Sequence, residues 1–135
     1  MLNMLKLAAK IAEPINDLDK RSFWLACIGI RRDGTLVSSR NGSIQHMFSM
    51  GLDPIDNDKN CSYHAEGRTL RKMDQGGILY VTRVSRRDGK LCMARPCVLC
   101  QSKIKSQRIK KVYYSINSTQ YGVWNVKSDT DRVFG

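Results

Sequence analysis

"ILYVTRV", residues 78–84, and "KVYYSI", residues 111–116, frame the stretch that decides the fold, with "RPCVLCQSKIKSQ", residues 95–107, between them. Both framing runs are rich in β-branched and aromatic residues, as strands inside a sheet are. From about Cys97 to Gln107 no breaker interrupts the chain, and the stretch reads as a helix. A strand, a helix of about a dozen residues and a second strand make a crossover, which requires a parallel pair of strands. Working outward, Tyr63 to Met73 reads as a helix ended by Gly76-Gly77, and Phe23 to Ile30 as a buried strand. Asp33-Gly34 reads as a hairpin turn into Thr35 to Ser39. Leu2, Leu5, Ala9 and Ala12 recur at helical spacing with Lys6 and Lys10 on another face, so the first dozen residues form a short amphipathic helix closed by Pro14. Residues 40–62 form a long loop broken by Gly42, Gly51 and Pro54. Its Asp53, Asp56 and Asp58 fit no calcium-loop spacing and read as solvated acids. "SRRDGKLCMA", residues 85–94, reads as a polar loop, and "GVWNV", residues 122–126, as either a last strand or a helix cap. The expected fold is α/β: a three-layer α/β/α sandwich with a mixed sheet, its first hairpin antiparallel and its later strands parallel. At 135 residues the chain is expected to be one domain, residues 1–135.

The apolar fraction, 41%, is that of a folded protein, and no apolar run is long enough to cross a bilayer. No membrane partner is expected. The N-terminal stretch, interrupted by lysines, does not read as a secretory signal, so a cytoplasmic location is expected. In that reducing setting clustered cysteines point to metal rather than to disulfides. Cys97 and Cys100 fit that reading, whereas Cys27 reads as a small buried hydrophobe and Cys92 as a loop thiol. The net charge is +11, and residues 83–111 hold ten Lys or Arg against one acid, Asp88. Such a stretch suits a phosphate-bearing partner, nucleic acid included, and equally a solvated surface.

His64 begins one helix, and Cys97 and Cys100 begin another. If both helices follow parallel strands, their starts emerge at one sheet edge and the three side chains converge. Two thiolates and an imidazole are a zinc ligand set, and three protein ligands leave a fourth position for water, as in a catalytic site. Glu66, two residues from His64, then has a task that a structural site would not give it: to accept and return the proton of that water. The alternative is a closed structural site, in which Cys61-x-x-His64 joins Cys97-x-x-Cys100 and Glu66 is a surface acid. Against it stand the 32 residues between His64 and Cys97, which include a strand.

His64-Ala65-Glu66 followed by Pro96-Cys97-Val98-Leu99-Cys100 resembles the zinc-dependent cytidine and deoxycytidylate deaminase superfamily, whose pattern is H-x-E…P-C-x-x-C. The resemblance covers roughly residues 22–116. It implies a cytidine-deaminase-like sandwich, with zinc on His64, Cys97 and Cys100 and Glu66 as the catalytic acid–base. It further implies an enzyme, a hydrolase acting on a cyclic amidine, that converts cytosine to uracil. Asn41, in "SRNG", sits where superfamily members place a sugar-contacting asparagine, and the backbone amides of Ala65 and Cys97 would face the base. "RIKKVYYS" is similar to the corresponding strand of deoxycytidylate-type members. The chain departs from the family in "RVSRRDGKLCMAR", residues 83–95, where tight versions of the motif run almost directly from strand into Pro-Cys. Arg95 also stands where tRNA adenosine deaminases usually show glutamate.

Two substrate classes follow. A free nucleotide, dCMP giving dUMP and ammonia, would need a cation such as Arg95 or Arg40 for its single phosphate. Single-stranded DNA or RNA would use the basic stretch along its backbone, with Trp24, Phe48, Tyr63 or Trp124 stacking bases. The short C-terminal segment after Ile116 favours the nucleotide. Family members commonly assemble into homo-oligomers, and the same is expected of this chain.

Overall fold

The computed structural model of the protein describes residues 2–12, 23–40, 65–85 and 87–135. Asn41, Cys61 and His64, and the loop acids Asp53, Asp56 and Asp58, lie outside the described residues. The elements are α1 (Leu2–Ala12), β1 (Phe23–Ile30), β2 (Leu36–Arg40), α2 (Ala65–Leu70), β3 (Ile78–Ser85), β4 (Leu91–Cys92), α3 (Val98–Ser106), β5 (Lys111–Ser115), β6 (Tyr121–Asn125) and β7 (Thr130–Phe134).

The sheet runs in the order β2-β1-β3-β5-β6-β7, with β4 paired to the end of β3. β1 is antiparallel to both of its neighbours, β2 and β3, and β3 is parallel to β5, with Tyr80 beside Tyr113. The crossover through α3 is the reason for that parallel pair. The strands after it add antiparallel, with Tyr114 opposite Gly122 and Trp124 opposite Asp131. Their connections, residues 116–120 and 126–129, are too short for anything but hairpins. Residues 121–125 thus form a strand rather than a helix cap, and β7 is a further strand that hydrophobic patterning did not announce, since all five of its residues are exposed.

Alternation along each strand sorts side chains between two apolar layers. On one face Leu5, Ala8 and Ala12 of α1 pack on Ala26, Ile28, Tyr80, Val84 and Tyr113. Ala8, rather than Ala9, completes the buried stripe of α1, and the Thr82 hydroxyl donates to the Leu5 carbonyl at 2.9 Å. On the other face Cys27, Leu79, Val81, Val112, Tyr114 and Trp124 pack with Ala65 and Leu70 of α2 and Ile104 of α3. Helices on both faces of one mixed sheet make the three-layer α/β/α arrangement that the sequence leads one to expect. Cys27 is fully buried, as its reading required.

The stretch read as a polar loop, residues 85–94, contains a hairpin. Asp88-Gly89 turns it, with Gly89 at φ 68° and the Asp88 carboxylate accepting from the Lys90 amide, and β4 pairs back on Arg83 and Val84. Cys92 therefore lies in a short strand, not in a loop. After it the chain is tied to the end of β5: the Ala94 amide donates to the Ser115 carbonyl at 2.9 Å, and the Ser115 hydroxyl to the Cys92 carbonyl at 2.7 Å. These two bonds set the start of α3 above the carboxyl ends of β3 and β5, where sheets of this kind place their sites.

Candidate active site

α3 begins at Cys97, whose extended backbone (φ −66°, ψ 166°) makes it the N-cap. Pro96 accordingly stands just before the cap, outside the helix. Cys97 Sγ accepts from the Cys100 amide at 3.5 Å, which holds that sulfur at the opening of the helix. The Gln101 side chain closes the same turn by donating to the Pro96 carbonyl at 2.7 Å. Cys97 is exposed and Cys100 fully buried, so the pair spans the boundary between solvent and core.

α2 brings Glu66 to the same place. The residue is 3% exposed, with Oε2 lying 3.9 Å from Cys100 Sγ, although the two are 34 residues apart. A carboxylate is not buried without reason, because removing it from water is costly unless partners compensate. Beneath it lies Cys27, whose thiol is pushed up by burial and further by the Glu66 carboxylate, and so stays protonated. Among the described cysteines none is in a disulfide. Among the described residues no three His, Cys, Asp or Glu gather around one point; the third ligand expected of the site, His64, is outside them.

Glu66 and Cys97 line a cleft of about 190 Å³ together with Leu25, Arg83, Met93, Ala94 and Arg95. That volume is below the range of drug-sized pockets and suits a single small ring. Arg83 reaches the cleft because it shares the α2/α3 face of β3 with Leu79 and Val81, by alternation. Arg95 lines the cleft with its charge matched. Its Nε and Nη2 donate to the two carboxylate oxygens of Asp131 at 2.6 and 3.3 Å, and the guanidinium lies 5.4 Å from the centre of the Trp124 ring. The hydrogen bonds from Arg95 hold the Asp131 carboxyl below the usual carboxylate range. The Tyr114 hydroxyl donates to the same carboxylate at 2.9 Å. Trp124 is fully buried, its indole N–H bonded to Asp129, so it is core rather than a platform for stacking bases.

Of the residues expected at the site, the structure brings together Ala65, Glu66, Arg95, Cys97 and Cys100. Asn41 and His64 lie outside the described residues. Tyr114 and Asp131 were not singled out for this site from the sequence, and Trp124 was singled out only as a platform for stacking bases. For Asp131 a signal existed: it and Asp129 are the first acids after Asp88, and no acid stands in the basic part of the chain in between.

The fold and the site together define an α/β/α sandwich in which a Cys-x-x-Cys helix start faces a buried glutamate across a small cleft. Solved structures align with this chain, among them two of a single enzyme. One is the crystal structure of cytidine deaminase from Mycobacterium tuberculosis, 20% identical with a TM-score of 0.48, covering 84% of this chain and 82% of that one. The other is a glutamate-to-glutamine mutant of the same enzyme, 20% identical with a TM-score of 0.49, covering 85% and 84%. No family model and no curated protein matches the sequence. The chemistry of this chain is therefore read from its own residues.

Proposed function

We propose that the protein catalyses the hydrolytic deamination of a cytosine base, with free dCMP as substrate and dUMP and ammonia as products. The observation that carries the reading is a buried Glu66 placed 3.9 Å from Cys100 Sγ and lining one cleft with Cys97. A catalytic proton carrier at the floor of a small cleft fits that placement, and a surface acid does not.

The donor set fits zinc. Two cysteine sulfurs at one helix start are soft ligands brought to one point, and His64, directly before α2, would complete the set. A zinc ion held there supplies the Lewis acidity that makes water a nucleophile near neutral pH. Glu66 takes the proton released as water adds to C4 of the ring. It then delivers that proton to the ring nitrogen and assists the amino group to leave as ammonia. The apolar side chains of Leu25, Met93 and Ala94 wall the cleft and limit competing water. The amides of Ala65 and Cys97 face the base, Asn41 orients the sugar, and Arg83 and Arg95 give the cleft the sign that a phosphate needs.

A second reading, deamination of cytosine in single-stranded nucleic acid, is favoured by the exposed Arg87 and Lys90 on the hairpin next to the cleft. One experiment separates the two. Zinc-loaded protein is incubated with dCMP or with a cytosine-containing oligonucleotide, the amine-to-carbonyl mass change is followed, and Glu66→Ala serves as control. Turnover of dCMP that is lost in the control supports the nucleotide reading, and turnover of the oligonucleotide alone replaces it with the second. If neither reacts, both readings fail.

A further inference from the structure

The proposed chemistry has no task for Asp131, yet two side chains converge on its carboxylate with three hydrogen bonds. Arg95 donates two hydrogen bonds to it, one to each oxygen, and Tyr114 donates a third. The arrangement is built from three strands. Tyr114 on β5 lies across β6 at Gly122, its direct cross-strand partner, where a Cβ would collide with the ring, and so reaches Asp131 on β7. Trp124, paired with Asp131 across β6 and β7, supplies a flat buried floor under the guanidinium. β7 is an exposed edge strand with little apolar burial of its own, so stability alone does not account for so many contacts to one of its side chains.

We propose that Asp131 is a positioning residue: it holds one edge of the Arg95 guanidinium, over Trp124, so that the same fork meets the phosphate monoester of a nucleotide at the cleft. This inference rests on the nucleotide reading above and adds to it the group that fixes the phosphate ligand. Arginine presents five N–H donors in a rigid plane, and Asp131 engages two of them. An exposed arginine left to itself would lose rotamer freedom on binding an anion, and a prior clamp removes that loss. The opposing effect is repulsion between Asp131 and the incoming phosphate. That repulsion is weakened because the carboxylate is already paired and, being partly exposed, is screened by solvent and salt.

The experiment measures, by calorimetry, the binding of dCMP, deoxycytidine and inorganic phosphate to wild type, Asp131→Asn, Arg95→Lys and Asp74→Asn. Asp74 forms a comparable ion pair, at 2.7 Å to Arg31, away from the cleft, and controls for loss of one acidic charge. Expected is a loss of about fivefold in dCMP and phosphate affinity for Asp131→Asn and for Arg95→Lys, which keeps the charge but not the fork. Deoxycytidine affinity should change by less than that, and Asp74→Asn should match wild type throughout. Tighter phosphate binding by Asp131→Asn, or equal losses for nucleoside and nucleotide, overturns the proposal. Should wild type turn over no cytosine substrate, the deaminase reading fails by itself. The phosphate titration still judges the clamp: loss in Asp131→Asn upholds it and unchanged binding overturns it.

Discussion

Replacing Gly122 by alanine tests the three-strand packing on which the cleft's rim rests. The three atoms nearest an added Cβ are all in the Tyr114 side chain: Cζ, Cε2 and Oη. Two carbons rest at about 3.5–4.0 Å, so the ring must retreat by on the order of 1 Å. Tyr114 is 3% exposed and packed in the α2/α3 layer, so it has little room to do so. Overpacking of this kind costs about 1–3 kcal/mol. The same movement stretches the 2.9 Å bond to Asp131 out of range, which adds about 1 kcal/mol. Restricting the unfolded chain returns about 0.5–1 kcal/mol, leaving a net loss of about 1–3.5 kcal/mol. With an unfolding entropy of roughly 2.1 cal/mol/K per residue, a chain of this length loses about 4–12 °C in melting temperature. The assay is thermal unfolding by circular dichroism in a double-mutant cycle with Tyr114→Ala, which removes the ring. In that background Gly122→Ala should cost nothing or stabilise slightly. An equal cost in both backgrounds, or no shift in wild type, refutes the packing argument.

Glu66→Gln should lower the rate of deamination by about 10²-fold or more while the zinc content stays at the wild-type level, as read by turnover and metal analysis on one preparation. Chelation should abolish turnover, zinc should restore it, and Cys97→Ser and Cys100→Ser should each bind less than one zinc per chain. Retention of stoichiometric zinc by either serine variant would contradict the ligand assignment. The Asp131 carboxyl is held low by Arg95 in the folded state, so its contribution to stability is complete above its ordinary value of about pH 3.9 and is lost as pH falls through the depressed folded value. Melting temperatures of wild type and Asp131→Asn should therefore differ above about pH 4 and converge below it. A difference that persists unchanged to pH 2.5 would show that the pair is not what separates them.

The parts of this molecule legible in the sequence are those in which one pattern forces one structure. Phe23–Ile30 could be nothing but a buried strand, and the crossover from β3 through α3 fixed the parallel pair. The start of α3 was legible too, because Cys97 and Cys100 mark it chemically. What stayed hidden depends on pairing partners rather than on pattern. Asp33-Gly34 and Asp88-Gly89 carry the same turn signal, but only two residues pair after the second, too few for periodicity to register. β7 has no buried residue, and its side chains acquire meaning only from the neighbours that the sheet gives them. Asp131 reads as one more surface acid until Tyr114 and Arg95 are seen to converge on it.

The basic stretch itself reads differently once folded. Residues 83–111 form one run of charge along the chain, and α3, with Lys103 and Lys105 in its last turn, spans about 13 Å between the two ends of that run. Arg83, Arg87, Lys90 and Arg95 belong to the cleft end. Arg108, Lys110 and Lys111 follow the far end of the helix, where the Lys110 amide is bonded to Gly77. Near the cleft the β6–β7 hairpin returns two acids, Asp131 to Arg95 at 2.6 Å and Asp129 to Lys105 at 3.6 Å. Lys103 and Lys105 lie on α3 between the two ends, so the field is not broken in space, but it is partly neutralised beside the site. A long polyanion needs continuous positive potential along its track, whereas a single phosphate needs one oriented cation. Under the clamp proposed above, Arg95 over Trp124 would be such a cation, and its orientation, rather than any gap in the charge, favours the mononucleotide over the strand.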